Sequence, residues 1–301
     1  MTSTHNRRTD LGAVLRAPIA ALQWRLLLLW MVFLLLPTAV AALPLWRALS
    51  DLLDSSVHAA AWARQFDPLM FGDAAAALGR DGAWLHGSLV VSVALAVLLG
   101  PFLAGMTVAA GRAGRVLGFG QLLQSGVIEY GRMFRVLLWS LLPYAAAIGL
   151  GAAAFGVAHK QAERAVLESV ADRAQHTALW VTLVLFALAH AIVESARAAF
   201  IADAGLRSAT RALGRGFMQL LRRPLGTLLV YVVMGAIGYA LALAVGVARL
   251  RTPAVGTGGF LLALLLAEAA VLAIGWTRVA RLFALAEIGR ALAPRRGGLP
   301  L

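Results

Sequence analysis

Glu268 is the only formal charge inside six long apolar stretches of this chain, which makes it the strongest candidate for chemistry. It lies about nine residues into the sixth expected span, 259–280, roughly 13 Å along a helix and close to mid-bilayer. A carboxylate at that depth costs several kcal/mol unless it is protonated, paired or wetted, which favours a step in a proton or ion path. The plainer reading is a protonated acid bonded to a hydroxyl on a neighbouring span, holding two helices together. His190, Glu194 and Arg197 fall at i, i+4 and i+7 near the end of the fourth stretch, on one helical face. One reading joins them with Glu268 in an intramembrane polar track that passes protons or holds a substrate. The simpler alternative pairs Glu194 with Arg197 and leaves His190 as a packing residue.

Other chemistry is thin. His159 and Glu163 repeat the i, i+4 spacing, but two ligands without a third do not hold a metal. The chain has no P-loop, HExxH or GxSxG pattern. It has no cysteine, which removes disulfides, thiol nucleophiles and thiolate metal sites together. The expectation is a protein that is not an enzyme and uses no cofactor or metal.

The elements that would position these residues follow from hydropathy. Between flanking charges the apolar stretches run Leu26–Trp46, Gly82–Gly111, Val136–His159, Ala174–Val193, Pro224–Ala248 and Thr252–Thr277. A bilayer core of about 30 Å takes about 20 residues of helix, which puts spans at roughly 26–46, 88–110, 136–157, 177–197, 225–247 and 259–280. With 61% hydrophobic and 14% charged residues in 301, too little polar surface remains to wrap a soluble core. The net charge of +13 invites a nucleic-acid reading. However, the basic residues are spread over short connections and form no patch with stacking aromatics, so no nucleic-acid partner is expected.

Of the 27 basic residues, nineteen fall on one set of alternate connections and eight on the other, where eight acids accompany them. The positive-inside rule then puts both termini in the cytoplasm, in a bacterial inner membrane. Leu26–Leu36 followed by Ala39-Val40-Ala41 also reads as a signal peptide, but the apolar run continues to Trp46, which favours a retained first span. The first external loop, 47–87, has helical-looking runs Asp51–Gln65 and Asp73–Leu78. It is too small for its own core and suits a cap or a docking surface. Residues 294–301 read as a basic tail. Pro37, Pro44, Pro101 and Pro143 are expected to kink the first three spans. The run Ala145–Ala154 and the segment Gly235–Gly238 offer small-residue faces for close packing.

Before the first, third and fifth spans the chain carries amphipathic segments at helical spacing. In the third, Leu206, Leu213, Phe217, Leu220 and Leu221 gather opposite Arg207, Arg211, Arg215, Arg222 and Arg223. In the second, Phe119, Leu122, Leu123, Tyr130, Met133 and Phe134 oppose Gln121, Gln124, Arg132 and Arg135. Leu11, Val14, Leu15 and Leu22 do the same near the N-terminus. Such helices lie in the interface, so Arg132, Arg135, Arg207, Arg211, Arg215, Arg222 and Arg223 are expected to contact anionic lipid head groups. The segments 131–138 and 214–221 match as GRxFxxLL, and Leu15–Pro18 and Leu221–Pro224 match as LRxP. The fold class expected is an all-α integral membrane protein of one domain, with six transmembrane helices and interfacial elbow helices in three repeated hairpin units.

This layout, with its GRxFxxLL and LRRP elbows, resembles uncharacterised bacterial six-helix inner-membrane proteins. It is also similar to the membrane domain fused to some bacterial glycerophosphodiester phosphodiesterases. The resemblance covers most of the chain and carries over no active-site residue. It implies an accessory role, with a membrane-protein partner besides the lipid. The expected function is a non-catalytic subunit or scaffold of an envelope assembly. The alternative is a small transporter or channel using Glu268 and His190.

Overall fold

A computed structural model describes residues 11–54, 56–57, 68–80, 82–252 and 256–292. Among them are nine helices and no strand: α1 (Leu11–Ala20), α2 (Trp24–Leu53), α3 (Pro68–Arg80), α4 (Ala83–Ala113), α5 (Phe119–Arg164), α6 (Glu168–Ala202), α7 (Ala209–Arg222), α8 (Pro224–Leu250) and α9 (Gly256–Leu292). Six of them, α2, α4, α5, α6, α8 and α9, are long and apolar enough to cross a membrane, so the chain is a multi-pass membrane protein. An even number of spans brings the start of α2 and the end of α9 to one side, called here the elbow end. The opposite side is the loop end. The basic tail 294–301 and residues 58–67 of the first external loop lie outside the described residues.

Local signals set several boundaries. Pro224 opens α8 at its first turn, where a missing N–H costs nothing. The Ser208 hydroxyl caps α7 by accepting from the Arg211 N–H at 3.3 Å. Gly114, at φ 62°, ends α4 in the left-handed conformation that glycine adopts without strain. All four prolines of the first three spans lie within helices, Pro37 and Pro44 in α2, Pro101 in α4 and Pro143 in α5. In the external loop, described helix extends through Leu53 of α2, all of α3 and the start of α4.

The three units repeat one packing scheme. Each consists of an elbow and a hairpin of two spans: α2 with α4, α5 with α6, and α8 with α9. Each elbow also rests on an even-numbered span of the preceding unit. The first turns of α5 lie on α4, and α7 lies on α6. The circle closes where α1 lies on α9 and the Trp276 indole donates to the Pro18 carbonyl at 2.9 Å. The even spans α4, α6 and α9 form the centre at the elbow end, where Met106, Val108, Val193, Phe200, Val279 and Leu285 are all fully buried. Toward the loop end the same three helices are largely uncovered, with Val90, Leu183 and Leu265 exposed. Helices in lipid gain nothing from hiding apolar surface from one another, so close packing and polar contacts must hold the elbow end together.

Small residues supply the close packing. In α5 the buried positions Leu122, Gly126, Glu129, Met133, Val136, Ser140, Ala147, Gly151 and Ala158 form one stripe with coiled-coil spacing, continuous from elbow to span. Nothing in Arg135-Val136 breaks a helix, so the second elbow and its span are one helix, whereas the third elbow ends where Pro224 starts α8. In α7 the buried face is Ala209, Ala212, Gly216, Gln219 and Leu220, whereas Phe217 and Leu221 stay exposed. The Ala/Gly side, which allows the closest approach, packs on the bundle together with Leu220, while Phe217 and Leu221 turn outward, the direction the amphipathic pattern gives apolar side chains in an interface.

The short sequence matches are not in structural register. Gly126 and Gly216 are the contact glycines of their elbows, yet Gly131 of GRxFxxLL falls beyond the first and Gly214 before the second. Pro18 of LRxP sits inside α1, not at the start of a span.

The segment 235–238 contains an internal control. A Cβ on Gly238 would overlap the Thr277 side chain, while one on Gly235 would meet nothing within 4 Å. Gly238→Ala is expected to lose about 1–3 kcal/mol of stability, the usual cost of overpacking. Gly235→Ala should lose none, with thermal unfolding in detergent as the readout.

Candidate functional site

Glu194 lies at the centre of the elbow end with its side chain wholly buried. On α6 it shares a face with His190 and Arg197, as the spacing predicts, and Arg197 Nη1 donates to Glu194 Oε1 at 3.0 Å. Span α9 adds two arginines. Arg281 Nε donates to Glu194 Oε2 at 3.1 Å, and Arg278 Nε stands 3.8 Å from Oε1. His190 Nε2 is 3.8 Å from Oε1 and 3.4 Å from Arg281 Nη2, while its Nδ1 is 2.8 Å from the Tyr144 hydroxyl on α5. An imidazole whose Nε2 accepts from Arg281 carries its proton on Nδ1 and donates it to Tyr144. Aromatic faces cover the outer guanidinium groups: Arg281 lies 5.0 Å from the Tyr231 ring and Arg278 lies 5.4 Å from the Trp30 ring. Five spans thus contribute side chains to the cluster around one carboxylate.

A second cluster joins the first two units. Arg112 on α4 donates to Glu129 Oε1 at 2.7 Å and to the Phe200 carbonyl at 2.6 Å. Arg132 donates to both Glu129 oxygens, at 3.0 and 3.1 Å. A single arginine therefore ties α4, α5 and α6 together.

These contacts reassign several residues. Arg132, expected at lipid head groups, is committed to Glu129, and Arg215 pairs with Asp203 at 2.8 Å. The reason is the scarcity of acids at the elbow end, where each described carboxylate, Glu129, Glu194, Asp203 and Glu287, takes an arginine partner. Arg135 turns its Nε to the Gly131 carbonyl at 3.0 Å. Arg207, Arg211 and Arg222 remain exposed and accessible to head groups, and Arg223 is half-buried.

Glu268 does not join the cluster. It sits thirteen residues before Arg281 on α9, about 20 Å along the helix toward the loop end. It is half-buried and makes no hydrogen bond or ion pair with any described residue. The polar track from His190 to Glu268 is thus interrupted by several apolar turns of α9, among them Val271, Leu272 and Ile274. Because no partner among the described residues is lost, Glu268→Gln is expected to leave stability within about 0.5 kcal/mol of wild type, as for a site outside any network. A larger fall in a detergent melt would mean that the carboxyl has an internal partner.

Sequence reasoning missed Arg278, Arg281, Tyr144 and Tyr231. Arg278 and Arg281 are one turn apart and close an otherwise apolar span, a pattern that also fits an interfacial anchor. The signal that could have found them is arithmetic: arginines crowd a side with few acids, so each acid there should be shared.

What the arrangement can do is limited. The carboxylate is fixed by three guanidinium groups, and the hydroxyl of Tyr144 stands 2.8 Å from the His190 imidazole. Among the described residues no group of three His, Cys, Asp or Glu could hold a metal ion. The cluster is built to lock helices, and it carries more positive than negative charge. Comparison with protein-family models, curated proteins and solved structures gave no match.

Proposed function

We propose that the protein is a non-catalytic subunit or scaffold of an envelope assembly in a bacterial inner membrane, with both termini in the cytoplasm. The observation that carries this reading is the uneven packing of the even spans. Their elbow-end halves are locked by ion pairs, while their loop-end halves leave Val90, Leu183 and Leu265 exposed. Glu268 lies in that uncovered half without a partner among the described residues. A lone carboxyl facing lipid is costly, and a second membrane protein offering a hydroxyl or amide would offset the cost. The resemblance to accessory membrane domains agrees with this role. The transporter alternative loses support, because Arg281, which His190 contacts, sits about 20 Å from Glu268 along α9, with Val271, Leu272 and Ile274 between.

The test is extraction of the tagged protein in native-lipid discs followed by mass spectrometry. The expected result is a membrane protein recovered in fixed stoichiometry and weakened by Glu268→Leu. Recovery of the chain alone, with wild type and variant indistinguishable, overturns the reading.

A further inference from the structure

We propose that a groove beside the Glu194 cluster binds one anionic phospholipid, with its phosphate on Arg278 and Arg197 and an acyl chain along α4. The inference is independent of the scaffold reading, and its failure would leave partner capture at the loop end untouched.

Charge is the first argument. Arg197, Arg278 and Arg281 share Glu194, and among the described residues no other carboxylate lies within 4.0 Å of any of them. The group therefore holds two cations more than it neutralises, in a low-dielectric setting that strongly favours a counter-anion.

Hydrogen bonding is the second. Arg278 reaches Glu194 only at 3.8 Å and donates no hydrogen bond to any described residue, although its side chain is just 32% exposed. A guanidinium presents five N–H donors in a fork that matches two phosphate oxygens, and Arg278 has all of them to spend.

Shape is the third. A cavity of about 300 Å³ has Arg197 and Arg278 in its lining and otherwise only apolar side chains and glycine, including Val93, Gly100, Ala104 and Leu137. From Val93 to Ala104 it follows α4 for about 16 Å, close to one leaflet of a hydrocarbon core about 30 Å thick. The arginines belong at the Ala104 end, because Arg112, two turns further along α4, bonds the Phe200 carbonyl one turn beyond Arg197. Val93 and Val97 are substantially exposed, so the groove opens sideways to lipid. Glu194 is fully occupied and offers nothing to an amine, which favours a head group whose net charge is negative over a zwitterionic one.

The test uses the full chain in a neutral detergent and native mass spectrometry with dioleoylphosphatidic acid, dioleoylglycerol and inorganic phosphate as probes. One bound phosphatidic acid is expected. It should be weakened at least tenfold by Arg278→Gln and likewise by Ala96→Trp, which fills the groove and leaves the arginines intact. Should Ala96→Trp fail to fold, Val93→Trp fills the groove from its exposed rim. Arg251→Gln, exposed just beyond α8 at the loop end, should leave binding unchanged. Equal retention of dioleoylglycerol, displacement of the lipid by inorganic phosphate, or indifference to both the arginine and groove-filling variants overturns the site.

Discussion

Glu194→Gln is expected to lower stability by about 3–5 kcal/mol, the range that follows when one partner of a buried ion pair is deleted. The side chain is fully buried and holds Arg197 and Arg281 by hydrogen bonds at 3.0 and 3.1 Å, with Arg278 nearby. Glutamine keeps the shape but leaves three guanidinium groups crowded around a neutral amide that also carries donors. Removing an arginine should be milder, because the carboxylate keeps two others. Arg278→Gln should cost least of the three, since Arg278 stands furthest away. Burial decides the scale. Asp203→Asn breaks a pair of similar length at 2.8 Å, but Arg215 is half-exposed, and such surface pairs contribute about 0–1 kcal/mol. Denaturant titration in detergent, followed by tryptophan fluorescence, would compare the two. An equal cost for Glu194→Gln and Asp203→Asn would remove the cluster from its central place. A double variant, Glu194→Gln with Arg281→Gln, should recover part of the loss, because it removes one of the orphaned cations.

Gly216→Val should be of comparable severity for a different reason. A Cβ at Gly216 would overlap the Ile192 carbonyl oxygen and come within 2.7 Å of the Ala196 nitrogen, both backbone atoms of α6. Backbone yields less readily than a side-chain tip, and this stretch of backbone carries Glu194 between the two contacts. Pushing α7 away from α6 would therefore open the ion cluster as well. Alanine in place of glycine gains about 1 kcal/mol of helix propensity, which overpacking of about 1–3 kcal/mol outweighs. Valine adds two methyls and a stiff χ1 to the same clash, so its cost should exceed that of alanine. Gly214 supplies the contrast two residues away, with nothing within 4 Å of its Cβ. Gly214→Ala should be neutral or stabilising, and Gly216→Ala destabilising, by melting of the purified proteins. The same sign at both positions would contradict the close crossing of α7 over α6.

The spans were legible because lipid demands long apolar helices and the sequence has little else. The shared face of His190, Glu194 and Arg197 was legible too, since helical spacing alone defines it. The partners of Glu194 were not. Arg278 and Arg281 lie on another span, and no periodicity reports which helices touch across a bundle. The packing face of α7 was hidden for a chemical reason. Hydropathy weights Phe217 and Leu221 above Ala212 and Gly216, yet in lipid the small residues make the tightest interface. The elbow positions were read correctly, while the matches that suggested them fell out of register. Geometry repeats in this chain more faithfully than short strings of residues do. That Glu268 stands apart from the Glu194 cluster could come only from the fold.

The most direct measurement is photocrosslinking from a benzophenone amino acid placed singly at Val90, Leu183 and Leu265, with Leu225 at the elbow end as the control. Leu225 is more exposed than any of the three. If the uncovered loop-end halves receive a partner, at least one of the three positions should give a discrete protein adduct in native membranes, and Leu225 should give lipid adducts only. Lipid adducts alone from all four positions would contradict the scaffold reading.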